Sequence, residues 1–93
     1  MSLLYRSGIQ MSSAPPPLEG SQQVGNRLRS LRLARFMTQD QLAQSSGVGR
    51  VTIARLERGH STPHMRTVRA LAAALDVAPS ELVPDPAALW PRR

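Results

Sequence analysis

TQDQLAQSSGVGRVTIARLERG, residues Thr38 to Gly59, reads as two short helices joined by a tight turn. The Thr38 hydroxyl can accept from the backbone N–H three residues on, and Gln41 at that third position can reach back to the N–H of Thr38. Met37 before the cap and Leu42 four residues after it supply a hydrophobic staple. This helix should stop near Ser46-Gly47, because Gly47 takes the left-handed conformation that other residues resist. The next is expected from about Arg50 to Arg58 and closed by Gly59, with Gly49 a permissive N-cap that lacks a capping side chain.

Set on a helical wheel with Arg50 at the origin, Ile53 and Leu56 fall at about 300° and about 240°, a narrow buried stripe. Arg50, Ala54, Arg58, Val51 and Arg55 fall between about 0° and about 140°, a contiguous exposed arc. That arc carries three guanidiniums, one branched apolar side chain and a small Ala. Charge alone fits a solvated basic face equally well. The tight turn before it favours a protruding ridge.

Around this stretch, Val24, Leu28 and Leu31 recur at helical spacing and predict a first helix from Val24 to Arg35. After the His60-Ser61-Thr62-Pro63-His64 loop, Met65, Val68, Leu71, Ala72 and Leu75 predict a core-facing fourth helix. Pro79 and Glu81 have the chemistry of a short fifth helix, with Val77 and Leu82 closing the core. Residues 1–23 read as a flexible arm with Leu3, Leu4, Tyr5 and Ile9 as its apolar anchors. Competing readings dock that arm on the body or on a second subunit, or send Arg6 into a DNA groove. Residues 24–83 form the domain and residues 84–93 a Pro-rich tail. Trp90 in that tail is expected to pack on its own body, with self-association through it as the competing reading.

The chain has 93 residues and a net charge of +6, enough for one small domain with tails. All 12 basic residues are Arg. Arg suits phosphate and the guanine edge, but a GC-rich coding bias gives the same preference. Only the charge itself therefore argues for a polyanionic partner. Without Cys there is neither a disulfide framework nor a Cys-ligated metal site. No apolar run approaches the roughly 18 residues of a membrane span, and the N-terminus lacks a secretory signal pattern, so a cytoplasmic location is expected.

These elements in this order resemble the lambdoid phage repressor and Cro-like (XRE-type) helix-turn-helix domains. The resemblance rests on Leu31-x-x-Ala34, Thr38-Gln39-x-x-Leu42-Ala43, Gly47-Val48, Ile53, Leu56-Glu57-x-Gly59, Pro63, Leu71-Ala72 and Pro79-x-Glu81-Leu82. It implies an all-α fold, a compact five-helix repressor-like domain with extended tails. It also implies a sequence-specific DNA-binding transcriptional regulator whose second motif helix enters the major groove while the first lies across the backbone. Carried over by position, Arg50, Val51 and Arg55 would read bases, and Gln39, Thr52, Arg58 and Arg66 would touch the DNA backbone. Arg32 would form a structural ion pair with Glu57. Double-stranded DNA is the implied partner, bound by a homodimer on a palindromic operator. Antitoxins and bridging factors use the same fold, so a protein-interaction module that binds a toxin or the transcription machinery is the alternative.

Three positions depart from the family pattern. Leu33 stands where a charged residue is usual, and His64 where Ser or Thr caps a helix. Phe36 stands where Gly or a small polar residue takes positive φ, a conformation that strains Phe. Leu33 and Phe36 together predict an apolar spot, either simply exposed or covered by a tail or a second subunit.

No Gly-rich phosphate loop, HExxH or GxSxG occurs. Asp40, Glu57, Asp76 and Glu81 each have a helix-cap or ion-pair explanation, which leaves no catalytic constellation. His60 and His64 have no acidic or Cys partner nearby in sequence, so neither a metal nor a cofactor is expected.

Overall fold

The computed structural model describes residues 19–90, which contain six helical segments and no strand. They are α1 (Glu19–Ala34), α2 (Gln39–Ser46), α3 (Arg50–Glu57), α4 (Met65–Leu75), α5 (Pro79–Leu82) and α6 (Pro86–Leu89). The fold is all-α, as expected, with a single extra turn after the five expected helices. α1 packs on α3, α2 on α3 and α4, and α4 on α5. Leu28, Leu42, Ile53, Leu56, Leu71, Leu75 and Leu82, drawn from five helices, are fully buried between them. Each such side chain contributes about 1.5–3 kcal/mol by leaving water.

Left-handed residues follow the first four helices. Gly47, at φ 80°, returns its N–H to Ala43 O at 2.9 Å and closes α2. Gly59, at φ 75°, sits in a Schellman motif: its N–H reaches Leu56 O at 3.0 Å and the His60 N–H reaches Arg55 O at 3.1 Å. Asp76 does the same for α4 at φ 59°, with the Val77 N–H on Ala72 O at 3.0 Å. Phe36 ends α1 identically, at φ 54°, with its N–H on Leu33 O and the Met37 N–H on Arg32 O. The turn therefore keeps the left-handed geometry despite Phe, at a cost of about 1–2 kcal/mol. Both halves of the predicted capping box at Thr38 are made: Gln41 N to Thr38 Oγ1 at 3.0 Å, and Thr38 N to Gln41 Oε1 at 2.8 Å.

Three sequence expectations need correction. α1 already includes Glu19, the first described residue, five residues before Val24. Ser21 extends the stripe of Val24 and Leu28 backward; it is buried, and its hydroxyl is 3.1 Å from the Thr62 hydroxyl. A small polar residue satisfied by a loop leaves no trace in hydrophobic periodicity. Met65, expected in the core, is 53% exposed at the first position of α4. α3 ends at Glu57 with Arg58 as its cap, one residue earlier than expected. The expected arm, with Leu3, Leu4, Tyr5 and Ile9, lies outside the described residues except for its last few positions, now part of α1.

Gly25 does a job that the sequence did not disclose. A Cβ there would collide with the Leu56 carbonyl oxygen and lie 2.9 Å from that of Glu57. Only a glycine lets α1 cross this closely over the last turn of α3.

Candidate nucleic-acid interface

α3 is divided lengthwise. Ile53 and Leu56 are buried, whereas Arg50, Val51, Thr52, Arg55 and Arg58 are exposed, and Ala54 lies half-buried between them. Val51 is 65% exposed, a branched apolar side chain in water on a helix whose other face is in the core. The arc expected from the sequence therefore exists as a surface. Gly49 enters α3 in extended conformation with no side-chain cap, so no side chain satisfies the first N–H groups of the helix.

A buried ionic network holds the far end of α3. Arg32 Nε donates to Glu57 Oε2 at 2.7 Å and Arg32 Nη2 to Glu57 Oε1 at 2.9 Å, a bidentate fork. Arg32 Nη1 donates to Met37 O at 2.8 Å, and Gln39 Nε2 donates to Glu57 Oε1 at 3.1 Å. One carboxylate thus ties together α1, α2 and α3, with the α1–α2 turn joined through Met37. The hydrogen bond to Glu57 raises the Arg32 pKa above its ordinary value, against the lowering effect of burial. Attraction outweighs desolvation at this site.

At the near end of α3, Arg50 Nε lies 3.1 Å from Asp40 Oδ1, an exposed ion pair. From the sequence Asp40 had a helix-cap or ion-pair explanation with no partner named. The contact was invisible because it depends on the angle between two helices.

Of the expected site residues, Arg32, Gln39 and Glu57 are thus joined in one network, and the Gln39 amide is committed to Glu57. Arg50, Val51, Thr52, Arg55 and Arg58 share the exposed side of α3. Arg66 lies on the first turn of α4, where it lines a shallow concavity with His64 and Arg69. Two other arginines are tied to backbone, Arg27 to Glu81 O at 2.6 Å and Arg35 to Leu31 O at 3.3 Å.

Trp90 returns to the body, donating from Nε1 to Pro63 O at 3.0 Å and packing against the core. Leu33 and Phe36 stay 49% and 93% exposed, and no described residue covers Phe36. Among the described residues no group of three or more His, Cys, Asp or Glu side chains is arranged to hold a metal, and no helix is long and apolar enough to cross a membrane.

The comparisons agree with this geometry. An HTH-type transcriptional regulator of Bacillus subtilis, RghRB, is 46% identical over 54 residues, covering 57% of this chain and 39% of that protein. The immunity repressor of Bacillus phage phi105 is 37% identical over 60 residues, covering 64% of this chain and 42% of that one. The chain thus matches about two fifths of the length of these relatives. Among solved structures, the restriction-modification controller protein C.AhdI of Aeromonas hydrophila superposes with a TM-score of 0.65 at 39% identity, covering 67% of this chain and 94% of that one. The helix-turn-helix family model HTH_3 matches residues 28–82, more than half of the sequence, with Arg32, Glu57 and all of α3 inside it. By that match the chain belongs to the HTH_3 (XRE-type) helix-turn-helix family.

Proposed function

We propose that this protein is a DNA-binding transcriptional regulator that inserts α3 into the major groove. One observation carries the reading: α3 buries Ile53 and Leu56 while leaving Arg50, Val51, Arg55 and Arg58 in water on its other side. Arg50 and Arg55 suit bidentate donation to guanine O6 and N7, and Val51 suits a thymine methyl. Thr52, Arg58 and Arg66 flank that face and touch phosphate. Gln39 braces α3 through Glu57 and lies at the start of α2, where the remaining amide proton can meet the backbone. One such helix reads only a few base pairs. The protein therefore acts as a homodimer on a palindrome with half-sites about 34 Å apart.

Selection from random double-stranded DNA at fixed salt tests this. The wild-type protein should enrich one motif, and Arg55→Ala should lose about 1–3 kcal/mol on it and relax a single base position. Equal losses on the motif and on random DNA would reduce Arg55 to a phosphate contact. A monomeric mass in sedimentation with the motif bound would rule out the dimer.

A second reading, a module that binds a protein partner such as a toxin or the transcription machinery, is favoured by the bare Leu33 and Phe36. Co-purification of a stoichiometric protein partner, lost in the Leu33→Glu variant, with no motif enriched from DNA, would put it first.

A further inference from the structure

We propose that Asp40 is a positioning residue for base reading, which orients the Arg50 guanidinium so that the specificity of the first step of α3 depends on a carboxylate of α2. The inference rests on the reading of α3 given above.

Asp40 is the second residue of α2, where the helix macrodipole favours an acid. That explains an acid there, but not its contact with Arg50. Arg50 is the first residue of α3, where the same dipole disfavours a cation, so local electrostatics do not hold it. Among the described residues Arg50 is the one arginine of α3 with a carboxylate partner, at 3.1 Å. The closest contact is through Nε, and the Arg50 side chain stays 56% exposed, which leaves the Nη1 and Nη2 edge with its parallel N–H donors accessible to a ligand. That edge matches the two acceptors of guanine.

Affinity alone argues against an acid at this place. A carboxylate beside a phosphate-binding face repels the polyanion, and Asp40 is one of only six acids in a chain of net charge +6. An acid placed here weakens attraction to every DNA sequence alike. Its compensating effect is to restrict the orientations of the one flexible side chain at the head of α3, and restriction favours the matching base over others.

The test is random-DNA selection with wild type, Asp40→Asn, Arg50→Ala and the double variant, at one salt concentration, with thermal midpoints as the fold control. Arg50→Ala identifies the base position read by Arg50. Asp40→Asn should lower preference at that position by about two- to fivefold, the range set by an exposed ion pair. Affinity for random DNA should hold or rise. In the Arg50→Ala background, Asp40→Asn should change no preference. Unchanged preference at the Arg50 position in Asp40→Asn, or an equal change in affinity on all sequences, overturns the proposal and leaves the DNA-binding reading intact. A wild-type protein that enriches no motif overturns both.

Discussion

Replacing Glu57 by Ala leaves the Arg32 guanidinium with one of its three hydrogen-bond acceptors, Met37 O. The two side chains are only 10% and 6% exposed, so the stranded guanidinium is poorly hydrated. Breaking a buried pair in this way costs about 3–5 kcal/mol. The described body, residues 19–90, is expected to have about 4–11 kcal/mol of stability, from the usual range per residue. Glu57→Ala should therefore remove about a quarter or more of the total, and at about 4 °C or more per kcal/mol its melting midpoint should fall by at least about 12 °C. Arg32→Ala leaves the buried Glu57 carboxylate with the Gln39 amide as its remaining side-chain donor and should cost a similar amount. Urea unfolding followed by circular dichroism measures both, and the Arg32→Ala, Glu57→Ala double variant closes the cycle. A coupling energy of about 1.5–3 kcal/mol is expected. Single losses below about 1 kcal/mol with coupling near zero would mean that the pair behaves as a surface contact, and the account of how α3 is anchored would fail.

Two glycine substitutions have opposite signs. Gly25→Ala would be mildly favourable in an ordinary exposed helix, but here Cβ meets the Leu56 carbonyl, so a loss of about 1–3 kcal/mol is expected in urea unfolding. A gain would show that α1 and α3 are further apart. Phe36→Gly relieves a left-handed Phe at about 1–2 kcal/mol, less about 0.5–1 kcal/mol of glycine entropy, so the melting midpoint should rise. A fall would mean that Phe36, 93% exposed in the isolated chain, is covered in solution by the N-terminal arm or a second copy.

What could be read from the sequence follows the range of the interactions involved. Caps and turns act over three or four residues, and Thr38, Gly47 and Gly59 all take the geometry that their residue types suggested. The lengthwise split of α3 follows from helical periodicity and emerged intact. The Arg32–Glu57 pair spans 25 residues and was reached only through resemblance to a family. Ser21 and Gly25 went unread, and the partner of Asp40 went unnamed, because their roles depend on a loop, a helix crossing and an interhelical angle that no local pattern encodes. Gly25 did leave one trace: a glycine inside a helical stretch, which lowers helix propensity without an evident local reason.

α3 has eight residues, too few to be stable alone, and begins without a side-chain cap. Its order comes from outside, and the source is specific: consecutive residues of α2 reach its two ends, Gln39 contacting Glu57 and Asp40 contacting Arg50. The two tethers differ in burial. The Glu57 end is closed off from water with Arg32, so its loss registers as unfolding. The Arg50 end is open, so its loss changes where a guanidinium points while the core stays as it was. Stability and base preference should therefore separate along a single helix. Glu57 variants, assayed well below their lowered midpoints, should enrich the wild-type motif, whereas Asp40→Asn should lose no more than about 1 kcal/mol of stability and enrich an altered one. Motif changes that track melting midpoints across both sets would show that the two ends of α3 are not independently held.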